Sequence, residues 1–270
     1  MTAPTWDPEQ YLRYADERGR PFADLLARVG AVAPAYVVDL GCGPGTLTRT
    51  LVERWPGAEV VGVDSSAEMI ARARVDGAGV SFVEADLREW RPAWHVDVLV
   101  SNATLQWVPG HLDLVPRLVG MLAPGGWLAV QVPANFDEPS HVLLHEVAAD
   151  PRWRDGLVGV ARPSSHGADT YLRVLSEYDC TVDAWETTYF HVLPGEDAVL
   201  RWMLGTGARP ILRALPEALR PAFLADYAAR LREAYPPTPA GTVLRYRRVF
   251  LVARRDEDVC PESQPGTAPC

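Results

Sequence analysis

Lysine is absent from this chain of 270 residues, and all 26 of its basic residues are arginine. Acidic residues number 35, so the formal net charge is −9. Nucleic-acid binding depends on basic side chains that neutralise phosphates, and this negative balance therefore argues against a DNA or RNA substrate. The uniform use of arginine follows genome composition and carries no functional conclusion by itself.

Long apolar runs are missing as well. No stretch approaches the roughly 20 residues of a membrane-spanning helix, and residues 1–10 lack the basic-then-apolar pattern of a secretory signal. We therefore expect a cytoplasmic protein that does not bind membranes. The four cysteines form no C-x-x-C pair, so the sequence predicts neither a metal site nor a disulfide framework.

The chain does contain a glycine-rich turn at the end of a short apolar run. Residues 37–45 read Val-Val-Asp-Leu-Gly-Cys-Gly-Pro-Gly, and a helix-like segment follows at once. Strand, glycine turn and helix open a doubly wound α/β domain. A dinucleotide fingerprint would place its third glycine at position 46, where this chain has Thr46. Glycines at 41, 43 and 45 instead resemble the first motif of the class I S-adenosylmethionine (SAM)-dependent methyltransferases.

Two acidic residues follow the next two predicted strands. Asp64 ends the run 59–63, at the distance from the glycines where nucleotide-binding folds place a carboxylate on ribose hydroxyls. That position suits NAD and SAM equally. Asp86 follows the run 80–84 and resembles the methyltransferase acid that accepts a hydrogen bond from the adenine amino group, with Leu87 packing on the base. The glycine spacing and Asp86 together favour SAM over NAD.

The predicted cofactor site combines these motifs with residues after the fourth predicted strand, 96–100, because the central strands of such a sheet line the ligand crevice with their carboxyl ends. The four residues 65–68, Ser-Ser-Ala-Glu, match a capping box with Ser65 as the N-cap. The predicted SAM-binding residues are Gly41, Cys42, Gly43, Gly45, Asp64, Ser65, Met69, Asp86, Leu87, Asn102 and Ala103.

Beyond the cofactor motifs, residues 6–254 resemble the trans-aconitate methyltransferases. The narrowest matches are Trp6-Asp7-Pro8 and Trp185-Glu186-Thr187-Thr188-Tyr189. Further matching stretches are Arg18-Gly19-Arg20-Pro21, Ser101-Asn102-Ala103, Gln106-Trp107, Ala129-Val130-Gln131-Val132-Pro133, Pro139-Ser140-His141, Arg209-Pro210, Tyr235-Pro236 and Arg247-Arg248-Val249-Phe250. The resemblance implies transfer of a methyl group from SAM to one carboxylate of a small tricarboxylic acid, which gives a monomethyl ester.

Such a substrate brings up to three negative charges to a chain that is itself acidic. Local cations must outweigh that field, and arginine binds carboxylates in a bidentate manner. A carboxylate with a pKa of about 4 is already ionised at neutral pH, so no general base is required. We assign no certain catalytic residue and take Gln106 and Trp107 as candidates. The predicted substrate-binding residues are Tyr11, Arg18, Arg20, Gln106, Trp107, Asn135, His141, Tyr171, Tyr189, Arg209 and Arg248.

The order of the elements predicts an α/β fold. We expect a doubly wound, Rossmann-like sheet of seven mostly parallel strands, with a helical lid elaboration. Residues 1–30 are predicted to form an N-terminal lid and first helix, and 31–255 a SAM-dependent methyltransferase domain with helical insertions near 134–180 and 196–240. Residues 256–270, rich in Pro, Ser, Gly and acidic side chains, predict a disordered tail. A monomer is expected.

Three other functions are left open by the sequence. A SAM-dependent methyltransferase of an amine, phenol or carbon acid would give the predicted arginines no carboxylate to bind. A non-catalytic sensor of SAM would lack convergent cations in its ligand pocket. A NAD oxidoreductase is disfavoured by Thr46 and Asp86.

Overall fold

A computed structural model describes residues 15–75 and 79–257 of the chain, with side chains from residue 19 onward. The N-terminal Trp-Asp-Pro motif and Tyr11 lie outside the described residues, as does almost all of the predicted tail. Arg18 belongs to the first helix, but its side chain is outside that description as well. No helix within the described ranges is long and apolar enough to cross a membrane.

A single sheet of seven strands organises the described part of the chain. The strands run β3-β2-β1-β4-β5-β7-β6, and β7 is antiparallel to both of its neighbours while the other pairs are parallel. The predicted α/β fold with a mostly parallel, seven-stranded sheet is confirmed. The strands are β1 (Tyr36–Leu40), β2 (Glu59–Asp64), β3 (Val80–Glu84), β4 (Val96–Asn102), β5 (Leu122–Pro133), β6 (Cys180–Leu193) and β7 (Thr242–Arg255).

Helices cover both faces of the sheet, which is why the central strands are continuous apolar runs rather than alternating ones. All five residues of β1 are buried, and β1 lies inside the sheet between β2 and β4. The helices are α1 (Ala15–Leu26), α2 (Thr48–Arg54), α3 (Ala67–Val75), α4 (Val115–Gly120), α5 (Pro139–Ala148), α6 (Ala168–Leu175), α7 (Ala198–Leu204), α8 (Arg209–Ala214) and α9 (Arg220–Ala234).

The cap of α3 differs from the sequence prediction by one residue. The hydroxyl of Ser66, and not that of Ser65, accepts the backbone N–H of Met69 at 3.3 Å. The carboxylate of Asp64 accepts the backbone N–H of Ser66 at 2.8 Å. Because Asp64 already turns the chain at this point, the capping oxygen comes from the residue nearer the helix, and the prediction of Ser65 as the N-cap was wrong.

The β6–β7 hairpin extends past the end of β5. β5 pairs with β7 only as far as Pro133, which lies opposite Arg248, whereas β6 pairs with β7 down to Thr242. This overhang therefore stands beyond the carboxyl end of β5. Helices α5, α7, α8 and α9 pack with it into a second hydrophobic core, whose largest buried members include Trp202, Phe223 and Tyr227. We call this unit the helical cluster; it faces the carboxyl edge of the sheet.

Candidate active site

The glycine turn after β1 is held in left-handed backbone conformations. Gly41, Gly43 and Gly45 have φ angles of 81°, 55° and 75°. A Cβ on Gly41 would lie 2.1 Å from the side chain of Thr104, and one on Gly45 would lie 2.6 Å from the ring of Phe82. A Cβ on Gly43 would meet nothing within 4 Å. Two of the glycines therefore allow close packing, and Gly43 leaves backbone open to an approaching ligand.

Asp64 ties the end of β2 to this turn. Its two carboxylate oxygens accept the backbone N–H groups of Gly43, at 2.9 Å, and Ser66, at 2.8 Å. Burial raises the pKa of Asp64, and these backbone hydrogen bonds oppose the rise. A carboxylate fixed in this way keeps further lone pairs for hydroxyl donors on a ligand.

Asp39 lies below the same turn and is 3% exposed. Its carboxylate accepts the hydroxyl of Thr48 at 2.7 Å. Burial is the main cause that raises the pKa of Asp39 to about 7, and the nearby Asp64 charge adds to the rise. The turn is therefore supported by two acidic side chains, one at the surface of the crevice and one inside the core.

Asp86 follows β3 and pairs with Arg88. The Arg88 Nε donates to both carboxylate oxygens at 3.0 Å, and this contact lowers the pKa of Asp86. The guanidinium of Arg117 donates to the carbonyl oxygens of Leu87 and Trp90. The loop that carries Asp86 and Leu87 is thus held in place from α4, while the Asp86 side chain stays 33% exposed.

A cleft opens between the carboxyl edge of the sheet and the helical cluster. The β4 and β5 ends supply one side of it, and α5, α7 and the turn after α7 supply the other. Its lining residues are Asn102, Ala103, Gln106, Trp107, Pro133, Phe136, His141, Pro163, Trp202, Thr206, Gly207, Tyr246 and Arg248. The cleft therefore joins two residues of the predicted cofactor site to four of the predicted substrate site.

Arg248 contributes a buried positive charge to the cleft wall. Its side chain is 3% exposed and lies on β7 opposite Pro133. The Nη1 atom donates to the side-chain oxygen of Gln131 at 2.9 Å. The guanidinium also lies 4.7 Å from the ring centroid of Tyr246, a cation–π arrangement. These contacts orient the guanidinium on a rigid strand.

Arg20 approaches the same region from α1. Its guanidinium lies 5.1 Å from the ring centroid of Tyr189. His191 stacks on Trp202 at 5.0 Å, and burial followed by the charges of Arg248 and Arg20 lowers the pKa of His191 to about 4. The positive charges of Arg20 and Arg248 therefore both lie near His191, beside the cleft.

Residues 37–126 match the family described as "Methyltransferase domain". The trans-aconitate 2-methyltransferase of Streptomyces avermitilis is 52% identical to this chain over 94% of its length and 98% of the relative. That of Streptomyces coelicolor is 53% identical, over 95% and 88% of the two chains. That of Escherichia coli O157:H7 (strain EC4115) is 46% identical, over 93% and 99%. The chain belongs to the trans-aconitate 2-methyltransferase family.

Solved structures agree on the fold. A protein of Bacillus halodurans C-125 assigned to the methyltransferases aligns with a TM-score of 0.59 at 14% identity, over 88% of this chain and 99% of its own. A phosphoethanolamine N-methyltransferase of Haemonchus contortus, crystallised with S-adenosylhomocysteine (SAH), aligns with a TM-score of 0.54 at 15% identity, over 88% and 53%. These structures support the class I fold, and the relatives at 46–53% identity show that the protein is a SAM-dependent methyltransferase.

The cofactor of this family fits the residues present. Gly43 offers open backbone, Asp64 ends β2, and Asp86 lies two residues after the adjacent β3. Asn102 carries a buried Oδ1 atom with no hydrogen-bond partner among the described residues. Ala103 next to it has a φ of 53°, unusual for a residue other than glycine. An acceptor without a partner beside a strained backbone is a feature that functional sites share.

The substrate residues predicted from the sequence divide into two groups. Gln106, Trp107, His141 and Arg248 line the cleft. The hydroxyl of Tyr189 instead donates to Asp24 at 2.5 Å, with the ring 2% exposed. Arg20 lies over the Tyr189 ring and is not in the lining either. Three others are absent from the described lining: Asn135, Tyr171 and Arg209.

Each of these three lies close behind the cleft. Asn135 is 1% exposed and follows Pro133 by two residues; its Oδ1 has no hydrogen-bond partner in the described ranges. Arg209 is half-buried and begins α8, two residues after Gly207. Tyr171 is 1% exposed, and its hydroxyl contacts His111.

Sequence reasoning missed several residues of the cleft. Trp202, Tyr246 and Gly207 line it, yet they lie on elements that follow the cofactor motifs by a hundred residues. Gln131, which orients Arg248, is fully buried in β5 and has a side-chain nitrogen without a partner among the described residues. A buried glutamine at the end of an apolar strand was the one available signal, because such an amide requires a polar neighbour.

Proposed function

We propose that the protein transfers the methyl group of SAM to one carboxylate of trans-aconitate, giving a monomethyl ester and SAH. The observation that carries the proposal is the buried guanidinium of Arg248 in a cleft that also contains Asn102 and Ala103, in a chain of net charge −9. Relatives at 46–53% identity are named for this reaction. A carboxylate substrate would bring a charge of opposite sign to that guanidinium, which a neutral or cationic substrate would not.

The cofactor would lie along the carboxyl edge of the sheet. When bound, SAM supplies an electrophilic methyl group on a sulfonium that is a good leaving group. Gly43 would allow close approach to the backbone, and Asp64 would accept hydrogen bonds from ribose hydroxyls. Asp86 would accept from the adenine amino group, with Leu87 against the base. Asn102 would offer its buried Oδ1 to a further donor.

The substrate anion would be bound by arginines from two elements. Arg248 presents a planar fork that suits a carboxylate in bidentate geometry, and Gln131 holds that fork in one orientation. Arg20 would add a second positive charge from α1. His141 is neutral at physiological pH because burial lowers its pKa to about 4, so it would serve as a hydrogen-bonding group and not as a cation.

Catalysis would then come from positioning and from removal of water. The nucleophile is an ionised carboxylate and needs no general base. Holding two reactants in the productive geometry can contribute about 7–11 kcal/mol. The side-chain nitrogen of Gln106 donates to the carbonyl of Ala103 at 2.6 Å, which fixes this segment of the wall. The helical cluster opposite limits access of water to the cleft.

A panel of acceptors tests the proposal directly. The protein is incubated with SAM and, in turn, trans-aconitate, a saturated tricarboxylate of the same length, a dicarboxylate, a phenol and an amine. We expect the highest kcat/KM for trans-aconitate and a product that hydroxylamine or mild base cleaves. A methylated product that resists base, or equal use of charged and neutral acceptors, would contradict the carboxylate reaction.

The sequence also predicts the location, the oligomeric state and the domain boundaries of the protein. The cytoplasmic location, the monomeric state and the domain boundaries stay predictions from the sequence. Light scattering on the purified protein at micromolar concentration tests the monomer, because a dimer would double the measured mass.

A further inference from the structure

A buried chain of hydrogen bonds runs behind the cleft wall. His111 and Tyr171 are each 1% exposed, although they lie 60 residues apart in the sequence. The Nε2 atom of His111 lies 2.7 Å from the Tyr171 hydroxyl. Its Nδ1 atom lies 3.3 Å from the carbonyl oxygen of Val108. The same hydroxyl lies 3.4 Å from the backbone N–H of His166.

The donor and acceptor of each of these hydrogen bonds follow from the two backbone groups at the ends, a carbonyl that only accepts and an N–H that only donates. A carbonyl oxygen only accepts, so Nδ1 of His111 carries the proton and donates to Val108. Nε2 is then an acceptor in the neutral ring, and the Tyr171 hydroxyl donates to it. The backbone N–H of His166 in turn donates to the hydroxyl oxygen. Burial and the neighbouring His166 lower the pKa of His111, in agreement with a neutral imidazole.

The two ends of this series of hydrogen bonds, Val108 and His166, belong to segments that form the cleft wall. Val108 directly follows Gln106 and Trp107, and His166 belongs to the segment that includes the cleft residue Pro163. The two segments are also joined directly, because the backbone N–H of Ser164 donates to the carbonyl of Gln106 at 3.0 Å. We call residues 103–108 and 163–166 the two wall segments.

The second wall segment is tied to the sheet as well. The hydroxyl of Ser165 donates to the carbonyl of Pro133 at 2.7 Å, at the end of β5. Tyr171 itself lies on α6, which packs on β6 and β7. A hydroxyl on a rigid helix therefore connects the first wall segment, which contains the single 3-10 turn Leu105–Trp107, with the second, which forms neither helix nor strand.

We propose that His111 and Tyr171 are positioning residues for the methyl transfer, which fix the two wall segments through one buried hydroxyl. The inference rests on the proposed function of the cleft. Neither residue is among those that line the cleft, so both act through Gln106, Trp107 and Pro163. Loss of the hydroxyl allows the two wall segments to shift. A shift of the order of 1 Å misplaces the substrate, which weakens its binding and slows a reaction that depends on alignment.

Tyr171→Phe is the primary test, because it removes one oxygen atom and keeps the ring. We expect the KM for trans-aconitate to rise about five- to tenfold, the usual effect of one lost buried hydrogen bond, with the dissociation constant of SAH within about twofold of wild type. Tyr36→Phe is the matched control, since Tyr36 is a buried tyrosine at the first residue of β1, the end of that strand away from the cleft. The control should leave the KM unchanged.

His111 variants separate a hydrogen-bonding role from simple packing. His111→Gln keeps an acceptor for the Tyr171 hydroxyl and should stay within about threefold of wild type. His111→Leu should lose at least as much as Tyr171→Phe, because it also removes the bond to Val108. The double variant should lose clearly less than the sum of the two single losses, because both break the shared bond. Additive losses, or equal losses in the Gln and Leu variants, would overturn the proposal.

Hydrogen exchange gives a readout that does not depend on the substrate. In Tyr171→Phe, exchange of peptides from the two wall segments should rise several-fold, while peptides from β1 and β2 keep wild-type rates. Unchanged exchange in both wall segments would overturn the positioning role. If wild type itself fails to methylate trans-aconitate, the proposed function fails, and the exchange result still decides whether His111 and Tyr171 hold the wall.

Discussion

Gln131 on β5 and Arg248 on β7 share a hydrogen bond of 2.9 Å inside the sheet, between a neutral amide oxygen and a guanidinium. Both side chains are almost fully buried. An amide orients the guanidinium without cancelling its charge, which a carboxylate in the same place would do. The sheet thereby carries a positive charge to the edge of the cleft in a protein that is acidic overall.

The first prediction concerns Arg248. In Arg248→Met the KM for trans-aconitate should rise well over tenfold, because loss of one partner of a buried charge pair costs about 2–5 kcal/mol. The dissociation constant of SAH should change little. Steady-state kinetics and calorimetry measure the two quantities. Arg254→Met is the matched control on the same strand, since Arg254 pairs with Glu257 at the surface. A variant that loses only SAH affinity would contradict the role.

The second prediction concerns Arg20, whose side chain is exposed. Arg20→Met should raise the KM for the acid by a smaller factor, about three- to fivefold, since exposed ion pairs contribute less than about 1 kcal/mol. Added salt should reduce the difference between variant and wild type, because screening weakens the attraction. Arg28→Met is the control: Arg28 lies over Trp185 and pairs with Asp183. Equal effects of the two variants would exclude a specific role for Arg20.

The third prediction concerns Asp64. Asp64→Ala should weaken SAH binding by about 1–3 kcal/mol, the range for a lost hydrogen bond to a charged group. It should also lower the melting temperature, because the backbone N–H groups of Gly43 and Ser66 lose their acceptor. Asp64→Asn keeps one acceptor oxygen and should recover part of the stability. Unchanged SAH affinity in both variants would remove Asp64 from the cofactor site.

The fourth prediction concerns the pH dependence of stability at Asp39. Its pKa rises from 3.8 to about 7 on folding, so between these values the folded protein holds the proton that the unfolded chain releases. The contribution of Asp39 to stability therefore falls as pH rises through this window, by about 4 kcal/mol in total. Denaturant unfolding of wild type and Asp39→Asn at pH 4 and pH 8 measures it.

The difference in the free energy of unfolding between wild type and Asp39→Asn isolates the contribution of Asp39. Buried histidines such as His191, whose pKa is lowered, act in the opposite direction but are present in both proteins and cancel. As pH rises, the free energy of unfolding of Asp39→Asn should increase relative to that of wild type. Thr48→Val, which removes the hydroxyl donor to Asp39, should make the loss of stability with pH larger. A difference that does not vary with pH would contradict the prediction.

The conformation of the glycine turn was predictable because its signals are local. Gly41, Gly43 and Gly45 adopt left-handed conformations that a β-carbon opposes, and Asp64 is the last residue of its strand. The spacing of strands and turns likewise predicts the doubly wound sheet. These features depend on residues within about thirty positions of one another, and the physical constraints on them act along the chain itself.

The substrate side of the cleft depends on long-range packing. Tyr171 and Tyr189 look equivalent in the sequence to other polar aromatic residues, yet one hydroxyl faces His111 and the other Asp24. Trp202 and Tyr246 reach the cleft only because the β6–β7 hairpin overhangs β5 and carries the helical cluster with it. Residue type and periodicity determined which side chains are polar, apolar or charged. The register of β6, β7 and β5 decided which of them meet, because contacts between distant segments arise only when the whole sheet and its covering helices pack together.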